Sequence, residues 1–259
     1  MSRPRHTPGI AASPACSVAT SPSALPGEAA GSGFVPTDIS GCVLWLDGDD
    51  DDAFAYSSGD LVSQWNDKSG EGNHAVQATV SRQPERNATV NGRSALVFAS
   101  DSIASPFAYT LNAATFYVVA TAGAGASFGR LLTLNGASGN DYDNGRWIPL
   151  LRNGTNAEVC SYNGASIALV AVTYDGSLYL FRSRHSGSQV ANSVNGGADV
   201  TAADALPYTT ATLAIGDSLP STSSFWAGNV CEVIGYNAGI TGDDDTAMMN
   251  YLQTKWGTP

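Results

Sequence analysis

Residues 43–52 read VLWLDGDDDD, residues 62–77 read VSQWNDKSGEGNHAVQ, and residues 91–98 read NGRSALVF. Each is a short apolar run rich in β-branched or aromatic residues, and Asp, Asn and Gly clusters punctuate them. Such runs are strand signals and such clusters are turn formers. The grammar is that of an all-β domain.

The same pattern continues outward. Strands are predicted over 42–47, 61–65, 75–78, 95–98, 115–121, 130–134, 147–152, 158–162, 166–174, 177–185, 189–194, 212–216 and 225–236. Tyr174-Asp175-Gly176-Ser177 reads as a hairpin turn between flanking strands, because an Asp-Gly pair supplies the positive φ angles of a tight turn. One helix closes the chain. Thr241 can cap it, Asp243, Asp244 and Asp245 suit the positive end of its dipole, and Gly257 ends it. Trp45, Trp65, Phe98, Phe116, Phe181 and Trp226 stand in apolar strand contexts and are expected in the core. The Asn66-Asp67-Lys68-Ser69-Gly70 stretch reads as a shaped turn, and His74 as a hydrogen-bonded structural residue.

At 259 residues the chain suits one large sandwich. Twelve Lys and Arg against 23 Asp and Glu leave a formal net charge of -11. An acidic surface disfavours nucleic acid and anionic membrane as partners, because phosphate binding depends on basic side chains. It is compatible with neutral glycans, cations and proteins. The first 33 residues hold 22 Ala, Ser, Pro or Gly, too little to bury a core, and read as an extended arm that a partner could order. Residues 34–259 form the domain. No stretch near the N-terminus has the continuous apolar length of a secretory signal, so the expected place of synthesis is a cytosol. Residues 102–129 are broken by Pro106, Asn112, Gly123 and Gly125 and read as strands and loops instead of a membrane span. The four cysteines lack Cys-x-x-Cys or Cys/His spacing, which disfavours structural zinc.

Taken in order, LWLD at 44–47, WNDKSGEGNHA at 65–75, NGRSALVF at 91–98, VAVTYDGSLYLFRS at 170–183, LAIGD at 213–217 and the closing GNVCEVIGYNAGIT and YLQTKWG resemble the concanavalin A-like lectin/glucanase superfamily. The likeness is to its laminin-G-like domains of the bacterial and bacteriophage type. The resemblance implies a two-sheet antiparallel jelly roll with the first and last strands side by side. It also implies that Cys42 and Cys231 lie on neighbouring strands, as a cross-strand disulfide or as free thiols, and free thiols are expected without a signal peptide.

Glucanases of this superfamily use a Glu-x-Asp-x-Glu type run to place two carboxyl groups across a glycosidic bond. No such run occurs, and Glu232 is followed at alternate positions by Ile234 and Tyr236. The expectation is therefore a non-enzymatic bacteriophage virion component, a capsid decoration protein or a head or tail appendage. Its arm, residues 1–33, would anchor it to capsid or tail proteins, and homo-oligomers and host-surface glycans are further candidate partners. The alternative is a carbohydrate-binding adhesion module at a bacterial cell surface, with a glycan hydrolase as a third reading. The candidate saccharide site is Asp141, Tyr142, Asp143, Asn144 and Trp147, an aromatic and planar-polar loop. Asp47, Asp49 and Asp50 are the candidate Ca²⁺ ligands, since hard cations take oxygen donors.

Overall fold

The computed structural model describes residues 33–123, 127–135, 148–152, 154, 158–162, 166–204, 208–218 and 224–259. All of the N-terminal arm except Gly33 lies outside them. The first ten strands are β1 (Cys42–Asp47), β2 (Phe54–Ser58), β3 (Leu61–Trp65), β4 (Ala75–Val76), β5 (Glu85–Val90), β6 (Arg93–Phe98), β7 (Ile103–Pro106), β8 (Thr110–Leu111), β9 (Ala114–Thr121) and β10 (Arg130–Asn135). There follow β11 (Ile148–Arg152), β12 (Glu158–Tyr162), β13 (Ser166–Ala171), β14 (Leu178–His185), β15 (Gln189–Val194), β16 (Val200–Ala203), β17 (Tyr208–Thr209), β18 (Thr212–Ile215), β19 (Gly228–Tyr236) and the helix α1 (Gly242–Trp256).

The ladders are antiparallel and make a sandwich. In one sheet β19 pairs β9 on one edge and β1 and β6 in succession on the other, and β9 leads on to β14, β15 and β16. The other sheet runs β2, β3, β4, β7, β18, β10, β11, β12, β13. A single pairing, Leu61 with Glu85, joins them at one corner, where β5 leaves β6 to touch β3. The first and last strands are neighbours, as the resemblance implies.

Side-chain alternation builds two cores from one sheet. Along β9, Phe116, Val118 and Ala120 face the space between the sheets, while Tyr117 and Val119 face outward under α1. β19 does the same, with Val230 and Val233 inward and Cys231, Ile234 and Tyr236 outward. Both strands are therefore nearly continuous apolar runs, because neither face meets water. Met248, Met249, Leu252 and Trp256 of α1 cover the outer face, helped by Phe34, whose ring meets Tyr251 edge-on at 5.8 Å. The tryptophans and phenylalanines expected in the core are all buried there.

Two local readings change, and the two cysteines are free thiols as expected. Thr241 occupies the N-cap position of α1 but makes no side-chain cap bond; Asp245 in the first turn accepts instead from Tyr117 OH (2.6 Å) and pairs with Arg182. The Asp175-Gly176 turn forms, with Gly176 at φ +89° and Asp175 accepting from Ser177 N–H at 2.9 Å, yet it closes no hairpin. Its flanks part, β13 to β12 and β14 to β9 and β15, and the turn docks on the end of β9 through Gly176 N–H to Ala122 O at 2.9 Å. Cys42 and Cys231 are free: Cys42 faces Tyr236 in the β1–β19 register, so five residues, roughly 17 Å of strand, separate the thiols. Burial pushes the Cys42 thiol up to about 12.

Gly216 shows how tightly the sheets close. At φ +88° a Cβ there would sit 2.3 Å from Phe98 Cδ1 and 2.8 Å from Asp101 O, whereas Gly176, at φ +89°, has nothing within 4 Å. Gly176→Ala is expected to cost about 1–2 kcal/mol, the left-handed strain alone. Gly216→Ala adds overpacking and should cost about 1–3 kcal/mol more, and urea denaturation of the two variants measures the difference.

Candidate functional site

The predicted saccharide loop, Asp141, Tyr142, Asp143, Asn144 and Trp147, lies outside the described residues. The predicted calcium ligands are described, and each is held by a base. Asp47 lies 2.6 Å from Lys255 Nζ and 3.0 Å from Lys68 Nζ, Asp50 lies 2.6 Å from Lys68, and Asp49 lies 2.5 Å from Arg93. Among the described residues no three His, Cys, Asp or Glu side chains converge as a metal-ligating group.

Asp47 belongs to a different assembly, which sequence spacing does not reveal. It pairs across the ladder with Glu232, and both carboxylates contact Lys255 Nζ, at 2.6 and 2.9 Å. Their nearest oxygens are thus within about 5.5 Å, the sum of those two distances. That bound admits the carboxyl spacing of a retaining glycosidase, about 5 Å, but access decides against the role. Glu232 is fully buried; one oxygen accepts from Trp45 Nε1 (2.8 Å) and Tyr251 OH (2.9 Å), the other from Trp256 Nε1 (2.6 Å) as well as Lys255. Four donors leave no lone pair for a substrate. Burial pushes the Glu232 carboxyl up against the pull of Lys255, while at Asp47 the Lys255 and Lys68 ammoniums together outweigh burial and hold the carboxyl down. This pair fastens α1 to β1 and β19.

Around it, Asp67 shapes the Asn66–Gly70 turn, accepting from the backbone N–H groups of Trp45, Ser69 and Asn73 at 2.8–2.9 Å. His74 Nδ1 accepts from Asp67 N–H at 3.0 Å, a structural contact as expected. A GxSxG string, Gly125-Ala126-Ser127-Phe128-Gly129, stands between β9 of one sheet and β10 of the other, with no helix following it, so it is not a nucleophile elbow; Gly125 and Ala126 lie outside the described residues.

The open chemistry is at the corner where the sheets meet. A groove of about 710 Å³ lies between the 3-10 turn Val80–Arg82, the start of β5 and the end of β6. Leu61, Val80 and Val97 give it apolar walls, Thr79, Ser81 and Gln83 give it polar ones, and its charged lining is two carboxylates, Glu85 and Asp101. The register puts Glu85 opposite both Val97 and Leu61, and Asp101 is turned at the β6 exit by accepting Ala99 N–H at 3.0 Å. Glu85 accepts from Asn87 Nδ2 at 2.6 Å. The bases on either side of Glu85 in sequence are engaged elsewhere. Arg82 binds the buried Asp217 at 2.7 Å and stacks on Phe225, and Arg86 binds Gly48 O and Asp51 and stacks on Phe54.

No protein-family model and no curated protein matches the sequence. Solved structures do match. A GH54 α-L-arabinofuranosidase aligns at TM-score 0.61 and 13% identity, over 86% of this chain and 61% of that one. The chain shares a β-sandwich fold with glycoside hydrolases. The Trypanosoma rangeli sialidase in complex with sialic acid aligns at TM-score 0.56 and 14% identity, over 84% of this chain but 33% of its own. An arabinofuranosidase complexed with arabinofuranosyl-α-1,2-xylobiose aligns at TM-score 0.57 and 13% identity, over 82% and 58% of the two chains. The chain thus spans a third to three-fifths of the structures it matches. These matches overturn the expectation of a non-enzymatic virion protein: they place the fold among enzymes of glycan hydrolysis, and none of these three is a capsid or tail protein. The missing Glu-x-Asp-x-Glu run excluded one arrangement of carboxylates, not the two-element arrangement that the groove presents.

Lys255→Met leaves the buried Glu232 without its base under α1, while Asp47 keeps Lys68, and is expected to cost about 3–5 kcal/mol. The Asp47 carboxyl is depressed on folding, so its stabilisation is complete above its unfolded value near 4 and is lost as pH falls through the folded value. The stability gap between wild type and Asp47→Asn should therefore be widest at neutral pH and narrow progressively as pH falls below about 4, as read from urea midpoints.

Proposed function

We propose that this chain acts on glycans, as a laminin-G-like sandwich of the glycoside-hydrolase type whose corner groove receives the sugar. The observation that carries the reading is the lining of that groove, where Glu85 and Asp101 come from different elements to a single opening with apolar walls. Saccharide recognition needs an apolar surface for the C–H face of the ring and convergent acceptors for its hydroxyls. Leu61, Val80 and Val97 supply the first, and the two carboxylates with Ser81 and Gln83 supply the second. Hydrolysis of a glycosidic bond needs in addition two carboxyl groups, one to protonate the leaving oxygen and one to act as base or nucleophile. Glu85 and Asp101 are the pair in this groove to which those roles fall.

The similarity to glycoside hydrolases supports this reading through the fold. The coverage favours a second form of it, in which the groove recognises the sugar and a companion domain cleaves it, since the chain corresponds to 33% of the sialidase it matches. Reducing-sugar release by the full chain over a polysaccharide panel separates the two. Hydrolysis by the groove predicts turnover that falls about 100-fold or more in Glu85→Gln and in Asp101→Asn while binding persists. Recognition alone predicts binding without release, weakened by the same changes. Neither release nor binding on any member of the panel would sink the proposal.

A further inference from the structure

The charge of the groove restricts what it can hold. The molecule carries 12 basic and 23 acidic side chains, and in the described residues most bases are committed to particular acids. Lys68 and Lys255 serve Asp47, Asp50 and Glu232; Arg93 serves Asp49; Arg182 and Arg184 serve Asp199 and Asp245. The two bases next to the groove in sequence are committed as firmly. The Arg82 guanidinium is drawn to Asp217 and Ser102 Oγ and lies over the Phe225 ring. On β5, Arg86 follows Glu85, projects to the other side of the strand, and is fixed by Gly48 O, Asp51 and the Phe54 ring. Glu85 and Asp101 by contrast have amide donors only, Asn87 Nδ2 and Ala99 N–H, and no ion pair among the described residues. Their charge is left for whatever enters.

We infer that the groove selects against acidic sugars and favours amino sugars, whose ammonium group can rest against Glu85 and Asp101 while the ring face lies on Leu61 and Val80. The inference rests on the glycan reading above and adds the substrate class. A carboxylated sugar brought into a groove whose charged lining is two carboxylates meets like charge with no base in that lining, and like-charge juxtaposition is a means of rejecting wrong ligands. A cationic sugar meets the opposite field, and a neutral sugar meets acceptors for its hydroxyls only. The order expected is amino sugar, then neutral, then acidic. It differs from that suggested by the similarity to the Trypanosoma rangeli sialidase in complex with sialic acid, an acidic sugar.

The test is calorimetric titration of the full chain with three oligosaccharides: a glucosamine oligomer, its fully N-acetylated counterpart, and an oligogalacturonate. At about pH 6 and low salt the glucosamine oligomer should bind roughly threefold to tenfold more tightly than the N-acetylated one, as expected for partly exposed ion pairs. The oligogalacturonate should not bind. Raising salt from about 0.05 to 0.5 M should bring the two amino-sugar series together, because the shortened Debye length screens the difference. Glu85→Gln/Asp101→Asn should do the same at low salt, and the salt series on wild type reads the same quantity should that variant not fold. Equal binding of all three oligomers, or tighter binding of the galacturonate, overturns the inference and leaves the glycan reading standing. A preference for glucosamine that survives both salt and the double substitution also overturns it, by placing the ammonium elsewhere. Absence of binding by every oligomer overturns the inference, and the polysaccharide panel then decides the glycan reading by itself.

Discussion

Lys255 reaches back from the last turn of α1 to lie between Asp47 on β1 and Glu232 on β19, and most of the outer layer depends on that contact. Two carboxylates that face each other across adjacent strands would repel in a buried setting. The ammonium turns the repulsion into a reason for the helix to dock, and the indole N–H groups of Trp45 and Trp256 and the Tyr251 hydroxyl complete the shell of Glu232. Every donor in that shell comes from β1 or α1. The carboxylate therefore reports whether first strand, last strand and helix are all in place, and it fixes their register as well as their proximity.

The same accounting explains why the groove differs from the lock beneath α1. With 11 more acids than bases, the chain cannot compensate every carboxylate. Where acids are buried, as at Asp217 and Glu232, a base is present, since an unpaired buried charge is the costlier error. Where they are wet the chain can leave them bare. Glu85 and Asp101 are bare and concave at once, and a concave surface is where exposed charge acts on a ligand instead of on bulk water. Carboxylate spacing alone would have chosen the Asp47–Glu232 pair; counting donors and access chooses the groove.

Much of the fold was legible from the residues. β1, β3, β12 and β15 have the bounds expected from apolar alternation, and α1 ends at Gly257, which adopts φ +64°. What was not legible follows from physics that acts across the chain. β5, reading ERNATV, has a mostly polar surface because it is paired at an edge and half-exposed, so it carries little hydrophobic pattern. The Asp175-Gly176 turn obeys local chemistry, but whether its flanks pair is decided by which strand offers the larger apolar face, and β14 takes β9. The thiols of Cys42 and Cys231 lie on paired strands yet at opposite ends of the ladder, a matter of register that adjacency does not specify.

The candidate site was hidden for a related reason. A strand that carries its own catalytic carboxylates writes them into one short window, where alternation makes them visible. Here the two carboxylates are 16 positions apart, one opening β5 and the other following β6, and only the β5–β6 ladder with its single contact to β3 brings them to one corner. The sequence signal that could have found them is subtractive. Glu85 is flanked at three positions before and one after by arginines, which looks like a compensated surface until the aromatic partners Phe225 and Phe54 are seen to hold both guanidiniums away. Cation–π stacking thus has a role beyond its own modest energy: by fixing where the bases point, it determines which acids remain available to a ligand.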